Sequence, residues 1–146
     1  MVDMVKDGRV FVQPFSTTEN GFDISDGLPA MLPSIVAAPE LGAAVVEALD
    51  KANRRLLPPV DPRAPASDSE FLALTGFKSY AHYSRGVRAV SLRAEYDGHL
   101  DSVRIVPMRG ERGGFVPITE EKAVIAYEGP EQLGRAVQEA MKKATR

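Results

Sequence analysis

The chain has 146 residues, 44% hydrophobic and 26% charged, with no cysteine. That size and composition fit one globular domain over 1–146 with a real core. The missing cysteines exclude a disulfide framework, a thiolate metal site and a thiol nucleophile. The formal net charge of −2 hides a split, because residues 1–50 hold eight acids and two bases and the remainder sums to +4, a pattern that hints at a charged partner for one part.

No run of about 18 apolar residues is present, so no membrane-spanning helix is expected. The opening MVDMVKDGR is charged and does not resemble a signal peptide. A soluble, intracellular protein is the expectation.

In chain order, GRVFVQPF (8–15) carries aromatic and β-branched residues and predicts a first strand. ENGFDISDGLP (19–29) is rich in turn formers, with FDI as a candidate short strand. A helix is predicted over 39–53. Pro39 suits the first helical position, Glu40 the positive end of the macrodipole, and Leu41, Val45, Ala48, Leu49 and Ala52 share one face. The connector LPPVDPRAPAS (57–67) holds four prolines, which excludes a regular helix or a central strand. SEFLALTG predicts a short helix capped by Ser67 or Ser69 and closed by Gly76. FKSYAHYSRG adds a helical turn or two, ended by Gly86.

VRAVSLRAEY and HLDSVRIVPM flank Asp97-Gly98, the favoured pair for a two-residue hairpin turn. That turn pairs Tyr96 with His99, Leu92 with Val103 and Val90 with Ile105, and sets Ser91 and Arg93 on the polar face. RGERGG (109–114) is expected as a loop and EKAVIAY (121–127) as another strand. A second long helix is predicted over 130–144, with Leu133, Val137, Ala140, Met141 and Ala144 as its apolar face.

The two predicted long helices nearly repeat one another. From Leu41 and Leu133 onward, eight of twelve positions are identical. A glycine at the same place in both, Gly42 and Gly134, costs up to about 1 kcal/mol against alanine. It therefore suggests close approach of another element, most simply the sheet. The whole reads as α+β: a mainly antiparallel twisted sheet, two longer amphipathic helices, and short helices packed on it.

Motifs that carry chemistry are scarce. His82 and His99 have no second ligand at metal spacing. Neither a nucleophile elbow nor a P-loop occurs. Arg109-Gly-Glu-Arg-Gly-Gly reads either as a phosphate cradle or as a hairpin loop. Glu120 and Glu121 are adjacent, a poor geometry for paired acid and base. No catalytic residue, cofactor or metal is assigned. A basic RNA- or phosphate-binding module using Arg104, Arg109 and Arg112 is one reading, and a small enzyme with a site assembled from Asp, Glu and His another.

In their order and spacing, several stretches resemble the immunity proteins of contact-dependent growth inhibition, the CdiI type. They are LGAAVVEAL, then Lys78, Ser79, Tyr80, Tyr83, Arg85 and Gly86, then Pro107, Arg109, Gly113, Gly114, Phe115, Pro117 and Ile118, then EQLGRAVQEAM. The likeness covers about 40–144. It implies a cytoplasmic bacterial protein without catalytic residues. Such a protein binds the C-terminal toxin domain of a cognate CdiA effector, commonly a nuclease and prominently a tRNA-cleaving one. No membrane and no direct nucleic-acid partner is implied. The acidic first third would suit a cationic nuclease surface. Glu19, Asp23 and Asp26, with Asn20 and Phe22 beside them, are the first candidates for toxin contact. Tyr80, Tyr83, Arg109, Glu111 and Arg112 come second, with core packing the competing role for the two tyrosines.

Overall fold

The computed structural model describes residues 1–54, 56–61, 63, 68–112 and 114–146. The possible cap Ser67, the motif residue Gly113 and much of the proline-rich connector lie outside the described residues.

The architecture is α+β. Seven strands form the main sheet: β1 (Val2–Met4), β2 (Val10–Val12), β5 (Ala30–Leu32), β6 (Arg88–Tyr96), β7 (Leu100–Glu111), β8 (Gly114–Pro117) and β9 (Ala123–Ala126). Their order is β5-β2-β1-β6-β7, after which the long β7 pairs with β9 along its first half and β8 along its second. Every strand pair is antiparallel. A separate hairpin joins β3 (Phe15–Thr17) to β4 (Asp23–Ser25). The expected first strand over 8–15 is thus split. Val10–Val12 enters the main sheet, and Phe15 begins the hairpin after Pro14, which cannot donate to a ladder.

Strand alternation sorts the core into two. Val2, Val10, Val12, Val90, Val103 and Ile105 face the long helices α1 (Ala38–Asn53) and α4 (Pro130–Lys143), and meet Leu41, Val45, Leu133, Val137 and Met141. Phe11, Ala89 and Met108 belong to a second cluster with Tyr83, Phe71 and Phe77, from and around the short helices α2 (Ser69–Thr75) and α3 (Tyr80–Ser84). Gly76 closes α2 in the left-handed region, its N–H donating to Leu72 O. Ser79 caps α3 by accepting from the His82 N–H at 3.2 Å.

The repeated glycines face each other's helices rather than the sheet. A Cβ on Gly42 would lie 1.7 Å from Pro130 O, and one on Gly134 would lie 1.9 Å from Ala38 O. Ala38 and Pro130 occupy equivalent places in the two repeats, four residues before their glycines. The crossing is therefore a locally two-fold contact of like with like, and explains why one chain carries the same helical text twice.

The β6–β7 hairpin keeps the expected faces in a different register. Leu92 pairs with Ile105 and Val90 with Pro107, two residues on from the expected partners, with an irregularity at Glu95/Tyr96. Tyr96 pairs with Leu100, which leaves a three-residue loop. A type I′ turn needs positive φ at both central residues. Of the two, only Gly98 has it, at 71°, and no non-glycine residue among those described does. A two-residue shift preserves alternation, so Arg93 stays off the core. The RGERGG stretch is also corrected: Arg109, Gly110 and Glu111 belong to β7 and pair with β8.

Candidate interaction site

The β3–β4 hairpin leans over α1 and the start of the main sheet and encloses a cleft of about 420 Å³. Val12, Val45, Leu49 and Leu92 supply its apolar lining, with Phe15 and Tyr96 as aromatic walls. Phe15 is 36% exposed despite its size. Asp23 and Arg93 close one side through an ion pair at 2.9 Å. Thr17 Oγ1 also donates to Asp23 Oδ1 at 2.7 Å, so both carboxylate oxygens are engaged.

The neighbouring charges are tied in the same way. Ser16 Oγ donates to Asp26 Oδ2 at 2.8 Å, and Lys51 Nζ stands 3.9 Å from Asp26 Oδ1. The Tyr96 hydroxyl donates to Asp50 Oδ1 at 2.8 Å. Burial and then that carboxylate push the phenol above its usual range, so Tyr96 stays a neutral donor. The charged side chains that line the cleft are Asp23 and Arg93, which balance each other, and Asp26 is likewise balanced by Lys51 from α1.

The hairpin spreads the first candidates along its length: Glu19 and Phe22 lie in its turn, Asp23 on β4 pairs with Thr17, and Asp26 lies at its base, where its N–H donates to Pro14 O at 2.9 Å. Glu19 is an exposed carboxylate, and Phe22 is 43% exposed beside it. Asn20 instead holds the fold together. Its side chain donates to Val60 O at 2.8 Å and accepts from the Val60 N–H at 3.2 Å. With the Glu19 N–H to Leu57 O bond at 2.9 Å, it pins the start of the connector along the hairpin.

The second group of candidates is dispersed. Tyr80 is half exposed on α3. Tyr83 is only 1% exposed and forms edge contacts with Phe11, Phe71 and Phe77, so its ring is core and offers no surface. Arg109 and Glu111 pair with each other at 3.0 Å on the outer half of β7, and Arg112 is exposed in the turn after it. Arg104 and Arg109 are five residues apart on one strand and point to alternate sides, so the basic trio shares no single face. Among the described residues no cluster of three or more His, Asp or Glu side chains could hold a metal.

Phe15, Arg93 and Tyr96 were not legible as site residues. Arg93 meets Asp23 across 70 positions, and no local pattern encodes such a pair. The one usable signal was Phe15, a large apolar residue between Pro14 and a polar stretch.

No family model and no curated protein matches the chain. Among solved structures, its fold is similar to a protein of unknown function from Neisseria meningitidis, with a TM-score of 0.72 and 16% identity over 98% of this chain and 92% of that one. It is also similar to a chain of the CdiA-CT/CdiI toxin and immunity complex from Yersinia pseudotuberculosis, with a TM-score of 0.69 and 16% identity over 98% of this chain and 94% of that one. At that identity the likeness is one of fold.

Proposed function

We propose that this chain is an immunity protein of contact-dependent growth inhibition. In this reading it acts as one domain in the bacterial cytoplasm, where it binds the C-terminal toxin domain of a cognate CdiA effector and blocks it without chemistry of its own. The observation that carries the reading is the fold shared end to end with a chain of a toxin and immunity complex. The cleft under the β3–β4 hairpin adds a second support. It combines an apolar lining with two partly exposed aromatics, Phe15 and Tyr96, the combination that anchors a protein partner, and the exposed Glu19 on the hairpin turn adds negative charge that would steer a cationic one. A nuclease is the proposed toxin, because a surface that binds nucleic acid is basic.

The test is co-expression with the CdiA toxin domain encoded beside this chain. Wild type is expected to restore growth, and the triple substitution Glu19→Lys, Asp23→Lys, Asp26→Lys to lose protection. Because Asp23 holds Arg93, the exchanged pair Asp23→Lys with Arg93→Asp separates contact from architecture. If Asp23 only latches the hairpin, the exchange restores protection. If it meets the toxin, the exchange leaves protection impaired while the melting temperature recovers. Full protection by a folded triple variant would remove Glu19, Asp23 and Asp26 from the interface.

A further inference from the structure

A second recess lies away from the hairpin, between the paired residues Met4 and Arg88 and the C-terminal half of α4. Its volume is about 310 Å³. Met4, Ile35 and Met141 give it an apolar floor, and Val36, 78% exposed, stands at its edge. The polar groups are few. Gln138 spends its amide N–H groups on Ile35 O at 2.7 Å and Val36 O at 3.1 Å, which fixes that wall to the segment before α1. Lys142 sits at the rim, its ammonium paired with Glu139.

Arg88 is the exception. Its Nε is shielded from solvent and has no acceptor among the described residues. A guanidinium donor stripped of water and left unpaired is costly, and the same side chain lines the recess, so an acceptor seated there would engage an under-satisfied cation. We propose that this recess binds an organic carboxylate with an apolar tail, an alkanoate. The carboxylate would accept from the Arg88 fork, the geometry guanidinium groups match best. The tail would lie on Met4, Ile35 and Met141, shielding Val36. The space holds about ten groups the size of a water molecule at about 30 Å³ each, the scale of a medium-chain acid. The C-terminal end of the α4 dipole opposes an anion here. Lys142 is already neutralised by Glu139, so Arg88 must outweigh that dipole and its charge is decisive. This site is independent of the proposed toxin interface and stands or falls without it.

The test uses the full chain labelled at the methionine methyls, titrated with octanoate, octanol and acetate. Octanoate is expected to shift Met4 and Met141 saturably while Met31 and Met108 stay still. Acetate and octanol are expected to bind at least tenfold more weakly. Arg88→Leu should weaken octanoate about tenfold or more and leave octanol unchanged. Arg88→Lys keeps the charge without the fork and should fall between. The absence of saturable shifts in wild type would overturn the site, as would movement of all the methyls together. So would octanol binding as tightly as octanoate, or undiminished octanoate binding by a folded Arg88→Leu or Arg88→Lys chain.

Discussion

Asp3 stands on a short central strand, 3% exposed, with Oδ2 accepting from Tyr83 Oη at 2.6 Å and Gln13 Nε2 at 2.7 Å. Its Oδ1 has no partner among the described residues. Burial raises the Asp3 pKa, against the opposing pull of its hydrogen bonds and of the Met1 amine. The sign follows from that direction. A carboxyl that binds its proton more tightly when folded adds stability below its unfolded pKa of about 3.9, and that contribution is lost as pH rises through the folded value. Asp3→Asn keeps an acceptor for both donors and removes the buried charge. Chemical denaturation at pH 5 and pH 8 should show it equal to or more stable than wild type at pH 8, with the gap closing at pH 5. Asp3→Ala strands the Tyr83 hydroxyl donor, while the Gln13 amide keeps the Tyr83 oxygen as acceptor at 3.2 Å, and should cost about 1–3 kcal/mol at pH 5 and less at pH 8. A larger loss for Asp3→Asn than for Asp3→Ala would contradict the hydrogen-bond assignment. None of this was legible in VDMV, where alternation alone would put Asp3 toward water. What keeps it inside is a tyrosine 80 positions away.

Among the elements, the two long helices were the most readable, because period, proline start and terminal charges agree. Their ends match expectation within a residue: Ala38–Asn53 against 39–53, and Pro130–Lys143 against 130–144. What the repeat did not disclose was its target, since a glycine announces close approach without naming the neighbour. At Gly42 two effects compete. Alanine gains up to about 1 kcal/mol of helix propensity. Its Cβ meets backbone carbonyl oxygen, which cannot rotate away, and overpacking of this kind costs about 1–3 kcal/mol or more. The contacts are with backbone oxygen at 1.7 and 1.9 Å, so the clash lies at the upper end and wins, and Gly42→Ala and Gly134→Ala should each lower stability by about 2 kcal/mol in urea melts, the upper clash cost less the propensity gain. Both contacts set the same helix separation, so the double variant should lose less than the sum. Strict additivity would mean that the two contacts act independently. In the β6–β7 hairpin, periodicity carried the faces but not the register, because turn length depends on the φ of Asp97 and on a bulge that alternation does not record.

At the scale of the molecule, the sheet is clad by α1 and α4 on one side and by the aromatic cluster of α2 and α3 on the other. Of the eight acids in residues 1–50, Glu19, Asp23 and Asp26 lie on or beside the outlying hairpin and Glu40, Glu47 and Asp50 on α1. Charge composition made this asymmetry readable. Assembly of the cleft from β3, α1 and β6 was not, because its walls come from segments far apart in sequence. Among the described residues no helix is long and apolar enough to cross a membrane. If the cleft steers a cationic partner, raising ionic strength should slow association far more than dissociation. Stopped-flow mixing with the toxin domain at low and high salt would measure it, and equal salt dependence of both rates would count against steering.

The most direct measurement is a titration of the purified toxin domain with this chain, following toxin activity and complex formation together. A protein that works by occupying its partner should silence the toxin in strict proportion, with activity reaching its floor at a fixed whole-number ratio. Loss of toxin activity at a small fraction of that ratio, or with no complex formed, would mean turnover rather than binding and would contradict the account.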